Sequence, residues 1–199
     1  MREALVLGIG NVLWADEGFG VRCVEALAAD WSLPDSVGLL DGGTQGLYLL
    51  PQVQEARRLL VFDAIDFGLV PGTLQVLEGD RVPSFMGAKK MSLHQTGFQE
   101  VLAAAQLSGR APSELVLIGV QPVELEDFGG SLRPAVRAQI PHAIGIALAR
   151  LAGWGFATRR RDRRSITADP LGLVRYEAER PTEAEAFRHG DARFFARRG

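Results

Sequence analysis

The sequence predicts an α/β sandwich built on a mainly parallel sheet. Short apolar runs closed by Gly, Asp or Pro alternate with stretches whose apolar residues recur at helical spacing. Those runs are apolar at nearly every position, as strands covered on both faces are.

Five runs have the length and closure of strands: "ALVLGIG" (4–10), "SVGLLDGG" (36–43), "RLLVFDAID" (58–66), "TLQVLEG" (73–79) and "ELVLIGVQP" (114–122). Between them lie four helical patterns, "EGFGVRCVEALAADW" (17–31), "QGLYLLPQVQEA" (45–56), "HQTGFQEVLAAAQL" (94–107) and "RPAVRAQIPHAIGIALARLAG" (133–153). Pro51 and Pro141 are expected to break or bend two of these helices. The run 73–79 follows "DFGLVPG" too closely for a helical crossover, so it is expected as an antiparallel strand at a sheet edge.

A chain of 199 residues, 47% apolar with 23 Gly and 10 Pro, suits one well-buried domain. Charge divides it: residues 1–155 carry a net −6, whereas residues 156–199, opening with "TRRRDRR", carry a net +4. We therefore expect a domain over 1–155 and a basic, partly ordered extension over 156–199. No apolar run reaches the roughly 18–20 residues of a membrane span, and Met1-Arg2-Glu3 leads straight into a strand-like run without a signal-peptide layout. The expectation is a soluble, cytoplasmic protein with no membrane partner. The overall charge of −2 gives no pull toward nucleic acid, and the single Cys23 excludes an internal disulfide and an all-cysteine metal site.

In open parallel sheets a ligand crevice lies beyond the carboxyl ends of the strands, where strand order reverses. The polar residues there are Asn11, Asp16 and Glu17 after the first run, Asp41 and Thr44 after the second, Asp63 and Asp66 after the third, and Gln121 and Glu124 after the last. The opening stretch "LVLGIGNVLWADEGFGVRCVEAL" (5–27) invites comparison with a dinucleotide fingerprint. It departs from one at the third glycine: Gly8 and Gly10 are followed by Leu13, and seven residues, two of them acids, separate Gly10 from Gly18. A P-loop is excluded because no G-K-[ST] occurs. The stretch offers carboxylates instead: Glu17 or Asp16 at a helix start is held out over the strand ends, with Asp16 read first as a helix cap and Glu17 open equally to either role.

Asp63 ends a buried strand, where an ionised group is costly unless paired or bound to a cation. His94, in "KKMSLHQTGFQEVL", opens a helix. Two carboxylates and an imidazole from three segments fit a metal site with open positions, although each residue also has a plainer role in capping or surface solvation. Cys23 has Val21, Val24 and Leu27 around it in a helical pattern, so we read a buried, inert thiol rather than a nucleophile. Neither H-E-x-x-H nor G-x-S-x-G is present. His142 is expected to be a helix-face or packing residue, and His189 to be exposed in the charged tail.

Five blocks in order, "GIGNVLWADEGFGVRCVEAL", "LLDGGTQGLYLL", "VFDAIDFGLVPGT", "MSLHQTGFQEVL" and "LIGVQPVELE", resemble the hydrogenase maturation endopeptidases, which complete the large subunit of nickel-iron hydrogenases. The resemblance spans about residues 4–153 and is nearest to the branch serving uptake hydrogenases. It implies a three-layer α/β sandwich with a twisted five-stranded sheet and helices on both faces. It further implies metal contacts from Glu17, Asp63 and His94, with Asp41 of "DGGT" at the position tied to substrate recognition or cleavage, so that Asp41, Glu17 and Asp63 form the catalytic set.

The implied activity is removal of a C-terminal extension from a large-subunit precursor, by an aspartic-type endopeptidase acting as a monomer. Nickel, carried by the substrate, would serve as the check that the metal has been inserted. A metal there either polarises the scissile carbonyl or lowers the pKa of bound water, and the residues leave both open. Because His94 must be neutral to bind, metal capture is expected to weaken at low pH. The three ligands are expected to line a surface cleft, where they can be replaced without unfolding the chain. The alternatives are a nickel-binding or delivery protein that cuts nothing, and a nucleotide-binding reductase, against which the broken glycine pattern argues.

Overall fold

A computed structural model describes residues 2–83, 93–162 and 172–180, the side chains of 93–96 and 179 excepted. The first strand, β1 (Arg2–Ile9), is apolar from Ala4 onward because it is an interior strand, paired on both edges and covered on both faces. A 3-10 turn at Ala15–Gly18 follows, then α1 (Phe19–Asp30), β2 (Trp31–Ser32) and β3 (Val37–Gly43). A second 3-10 turn (Gly46–Leu49) runs into α2 (Leu50–Glu55), then β4 (Ala56–Ala64) and β5 (Leu74–Glu78). The chain continues through α3 (Leu93–Leu107), β6 (Glu114–Val120), α4 (Pro134–Arg137), α5 (Ile140–Gly153), β7 (Arg159–Arg160) and α6 (Leu173–Glu179).

The main sheet has five strands in the order β3-β1-β4-β6-β5. All neighbours are parallel except β5, which runs antiparallel to β6 at the edge, as the short 64–73 connection requires. Alternation along the strands divides the core. Val6, Leu60, Phe62 and Ile118 face α1, α4 and α5 on one side, while Leu5, Leu7, Val61 and Leu117 face α2 and α3 on the other. The result is the three-layer sandwich expected. The two prolines act at helix starts: Pro51 lies in the first turn of α2 and Pro141 in that of α5, where a missing N–H costs nothing. Pro141 thereby divides the single pattern 133–153 into α4 and α5.

Among the described residues no helix is long and apolar enough to cross a membrane. The first part of the basic extension is ordered against the domain: Arg159 and Arg160 of β7 pair antiparallel with Ser32 and Trp31 of β2. His189 and the extension over 163–171 and 181–199 lie outside the described residues.

Candidate active site

The strand order 2-1-3-4 of the parallel part, counting parallel strands in chain order, puts the topological switch point between β1 and β4. Helix α1 starts over this seam. A Cβ on Gly20 would fall 2.3 Å from both the Ile9 and the Phe62 carbonyl oxygens, so only glycine lets the helix come down between the two strand ends. Gly10, at φ 129°, lies against the Glu17 carbonyl, where a Cβ would be 1.7 Å from the oxygen. The glycines of "GIGN" and "EGFG" therefore seat a carboxylate-bearing turn on the sheet, with no phosphate needed to explain them.

Three acids emerge from three adjacent strands. Glu17 lies half-buried in the 3-10 turn after β1, its N–H donating to the Trp14 carbonyl at 2.9 Å. Asp63, next to last in β4, is buried, with Oδ1 accepting the Ala64 N–H at 2.8 Å. Asp41 pairs in register with Gly8 and is exposed; its Oδ1 accepts the Gly43 N–H at 2.9 Å in an Asx turn. Asp63 is thus enclosed, where an open cleft position was expected, because it precedes the last pairing between β4 and β6 at Ala64–Val120.

His94 is the second residue of α3. One turn later Gly97 lies against Gly46 in the loop after β3, a Cβ on Gly97 falling 3.2 Å from the Gly46 Cα. The backbone of His94 is therefore at the same end of the sheet as Asp41, but its ring lies outside the described residues. Among the described residues no three His, Cys, Asp or Glu side chains converge as a metal-ion site.

Asp16 has a different role from the one expected. Neither the turn at 15–18 nor α1 has a side-chain cap, and the fully buried Asp16 carboxylate reaches across to the loops after β6. Its Oδ2 accepts the N–H of Val123 at 2.8 Å and of Glu124 at 3.0 Å, and its Oδ1 accepts the N–H of Arg133 at 2.6 Å. The Asp16 N–H donates to the Glu124 carbonyl at 3.1 Å and the Gly129 N–H to the Leu13 carbonyl at 2.7 Å. Trp14 packs edge-on against Phe128, centroids 5.4 Å apart. The clamp holds a strained turn: Ala15 has φ 37°, which costs a residue with a Cβ about 1 kcal/mol.

The other strand-end polar residues shape loops. Gln121 Oε1 accepts the N–H of Phe67 (2.7 Å) and Leu69 (3.1 Å), and its Nε2 donates to Asp66 Oδ1 (3.0 Å), fixing the loop after β4. Asn11 Oδ1 accepts the Leu13 N–H at 3.0 Å, and Glu124 Oε1 the Glu126 N–H at 2.7 Å. Sequence reasoning passes over Arg133, whose guanidinium pairs with buried Asp127 at 2.6 Å beside the Asp16 clamp. No local spacing signals a contact of this kind. Cys23 is buried and burial pushes its thiol well above the ordinary 9.0, which fits an inert thiol. His142 is exposed on α5, with Nδ1 3.2 Å from the Ala138 carbonyl oxygen.

The hydrogenase maturation protease family model matches residues 21–150. A hydrogenase expression/formation protein HupM of Azotobacter chroococcum mcd 1 is 62% identical over 197 residues, 98% of this chain and 94% of its own. The chain belongs to the hydrogenase maturation protease family. The HupD protein of Rhodobacter capsulatus is 63% identical over 195 residues, covering 97% of this chain and 93% of that one. Among solved structures, the hydrogenase maturating endopeptidase HybD from E. coli superposes with a TM-score of 0.76 at 42% identity. That match takes in 98% of HybD but 81% of this chain, so about a fifth of the present protein has no counterpart there.

Membership makes this protein a peptidase, and the surroundings of its strand ends suit a protein substrate. Residues 10–18, 41–49, 63–72 and 121–130 of this maturation protease hold eight acids and no Lys or Arg. The same loops expose Tyr48 (83%), Val70 (76%), Val123 (50%) and Phe128 (44%). Exposed apolar side chains in loops of this kind suit contact with a protein surface.

Proposed function

We propose that this protein removes the C-terminal extension of a nickel-iron hydrogenase large-subunit precursor after nickel insertion, with the nickel carried by the substrate serving as the recognition element. The observation that carries the reading is the placement of three acids at the same end of three adjacent strands, Asp41 late in β3, Glu17 in the turn after β1 and Asp63 next to last in β4, with no basic residue in the loops that follow these strands. In this reading Glu17, Asp63 and His94 contact the metal. Imidazole nitrogen and carboxylate oxygen both suit a borderline divalent ion, and three protein groups leave positions for the ligands the substrate brings. Asp41, exposed and fixed by its Asx turn, stands at the cleavage or recognition position. We assign the protein to aspartic-type endopeptidases acting as monomers in the cytoplasm.

Cleavage of purified precursor, nickel-loaded and nickel-free, followed by mass spectrometry of the released peptide, tests this. Release from the loaded form alone supports nickel-checked proteolysis and locates the scissile bond. Equal release from both forms removes nickel from the recognition step. Absence of cleavage of a competent cognate precursor, with metal still captured, leaves a nickel-binding or delivery protein.

A further inference from the structure

The loop at 127–133 lies between two parts of the molecule that are far apart in sequence. On one side it holds the Glu17 turn: the Arg133 N–H donates to Asp16 at 2.6 Å, the Gly129 N–H donates to the Leu13 carbonyl at 2.7 Å, and Phe128 packs on Trp14. On the other side it carries α6, a segment of the basic extension. Glu177 Oε1 accepts from Ser131 Oγ and from Arg137 Nη2. The Tyr176 hydroxyl donates to the Gly130 carbonyl at 3.4 Å, and the Tyr176 ring lies 5.5 Å below the guanidinium of Arg22, a nearly buried residue of α1. Burial raises the Tyr176 phenol above its ordinary 10.0, as expected for a ring inserted into a contact rather than lying on solvent.

The helix α6 thus bridges α1, which starts over the β1–β4 seam, and the loop whose opposite edge fixes Asp16, the residue preceding Glu17. We infer that residues 172–180 form a strap that positions the Glu17 turn through loop 127–133 and the Asp16 carboxylate. Tyr176 and Glu177 are then positioning residues of the processing site, an assignment that rests on the endopeptidase reading for its effect on turnover but not for its effect on the loop. Three features make the coupling physical. The turn at Ala15 is strained and needs an outside restraint. Asp16 is restrained by backbone amides of the 123–133 segment. That segment carries no regular helix or strand between Val120 and Pro134, so contacts from α6 add to its order. A charged extension that only solvates the surface would instead have no reason to place a half-buried tyrosine ring under the Arg22 guanidinium.

The test uses the full-length chain with Glu177→Ala and Tyr176→Ala, singly and together, and the conservative Glu177→Gln and Tyr176→Phe. Amide hydrogen exchange gives a readout independent of catalysis. Loss of the α6 contacts should raise exchange about tenfold at Val123, Glu124, Gly129 and Arg133, roughly what one hydrogen bond is worth, while Leu7 and Val61 in the sheet stay protected. Glu177→Gln keeps an acceptor for Ser131 and Arg137 and should restore protection. With a precursor that the wild type processes, kcat/KM should fall about tenfold in the alanine variants and recover in Glu177→Gln, because the displaced Glu17 loses its alignment with the substrate. Unchanged exchange at the four amides in the alanine variants overturns the strap. So does a loss of protection that spreads equally through the sheet, in the single Glu177→Ala variant as well as the double. A wild-type protein that fails to process any precursor defeats the endopeptidase reading, and the exchange experiment then decides the strap alone.

Discussion

Asp16 Oδ1 accepts the backbone N–H of Arg133 at 2.6 Å, joining positions 117 residues apart inside the protein. Both carboxylate oxygens of Asp16 are occupied by backbone donors, so the side chain must accept in two directions. Asp16→Asn leaves one edge of the carboxamide as an NH2 facing an N–H. We expect a destabilisation of about 1–3 kcal/mol, the cost of a buried donor left unmade, with Asp16→Ala at least as damaging. Urea unfolding at neutral pH measures it; a loss under about 0.5 kcal/mol, the usual range for surface changes, would mean the clamp is dispensable.

A glycine pair gives a second prediction. Gly20→Ala drives a Cβ into two backbone carbonyls at 2.3 Å, which cannot rotate away. Helix α1 must lift, at about 1–3 kcal/mol or more, and Glu17 moves with it. Gly145, in the interior of α5, is the control, because a Cβ there would meet nothing within 4 Å. Gly145→Ala should stabilise the protein by about 0.5–1 kcal/mol through helix propensity. Thermal melts of the two variants moving in the same direction would contradict this account of the seam.

The architecture is legible in the sequence because it rests on near-neighbour patterns. Apolar runs mark β1, β3, β4 and β6, and the brevity of the 64–73 connection identifies the antiparallel edge strand. Asp41 and Asp63 are legible for the same reason, since a polar residue closing an apolar run is conspicuous, and Glu17 is legible from its place at a helix start. Asp16 misleads because a carboxylate before a helix signals a cap, and nothing local to it announces Val123, Glu124 or Arg133. The docking of Tyr176 on Arg22 is invisible in the same way: charge density in the extension conceals one aromatic that packs.

A third prediction concerns acid. Glu114 accepts from Arg58 Nε at 2.8 Å and from Trp154 Nε1 at 2.7 Å, tying β4, β6 and the end of α5 together. The Arg58 hydrogen bond is the main cause holding its carboxyl below the ordinary 4.5. A depressed folded pKa contributes stability that is present above the unfolded value and is lost as pH falls through the folded one. Wild type should therefore lose more stability than Glu114→Gln between about pH 6 and about pH 3. The group is about half exposed, with a side-chain exposure of 47%, so solvent screens the contact and the difference is small; parallel urea titrations resolve it through the denaturation midpoint. Identical pH profiles for the two proteins would show that the contact does not couple to protonation.

The last prediction separates the ligand acids from the clamp. Glu17→Gln, Asp63→Asn and His94→Ala each remove a proposed metal contact, while Asp41→Asn removes the exposed carboxylate of β3. Replacing a residue that merely orients a metal ligand costs about 10–100-fold, and a direct ligand should cost no less, so processing should fall at least about a hundredfold in the first three. The fold should survive for reasons particular to each position. Glu17 is half-buried, and Gln there keeps the length and an acceptor oxygen; Asn at 63 likewise retains an oxygen for the Ala64 N–H. Asp16→Asn, by contrast, should lower stability first and processing as a consequence. Measuring unfolding and processing on the same preparations distinguishes the two classes: if the Glu17, Asp63 and His94 variants lose stability in proportion to activity, these residues hold the structure and the metal assignment fails.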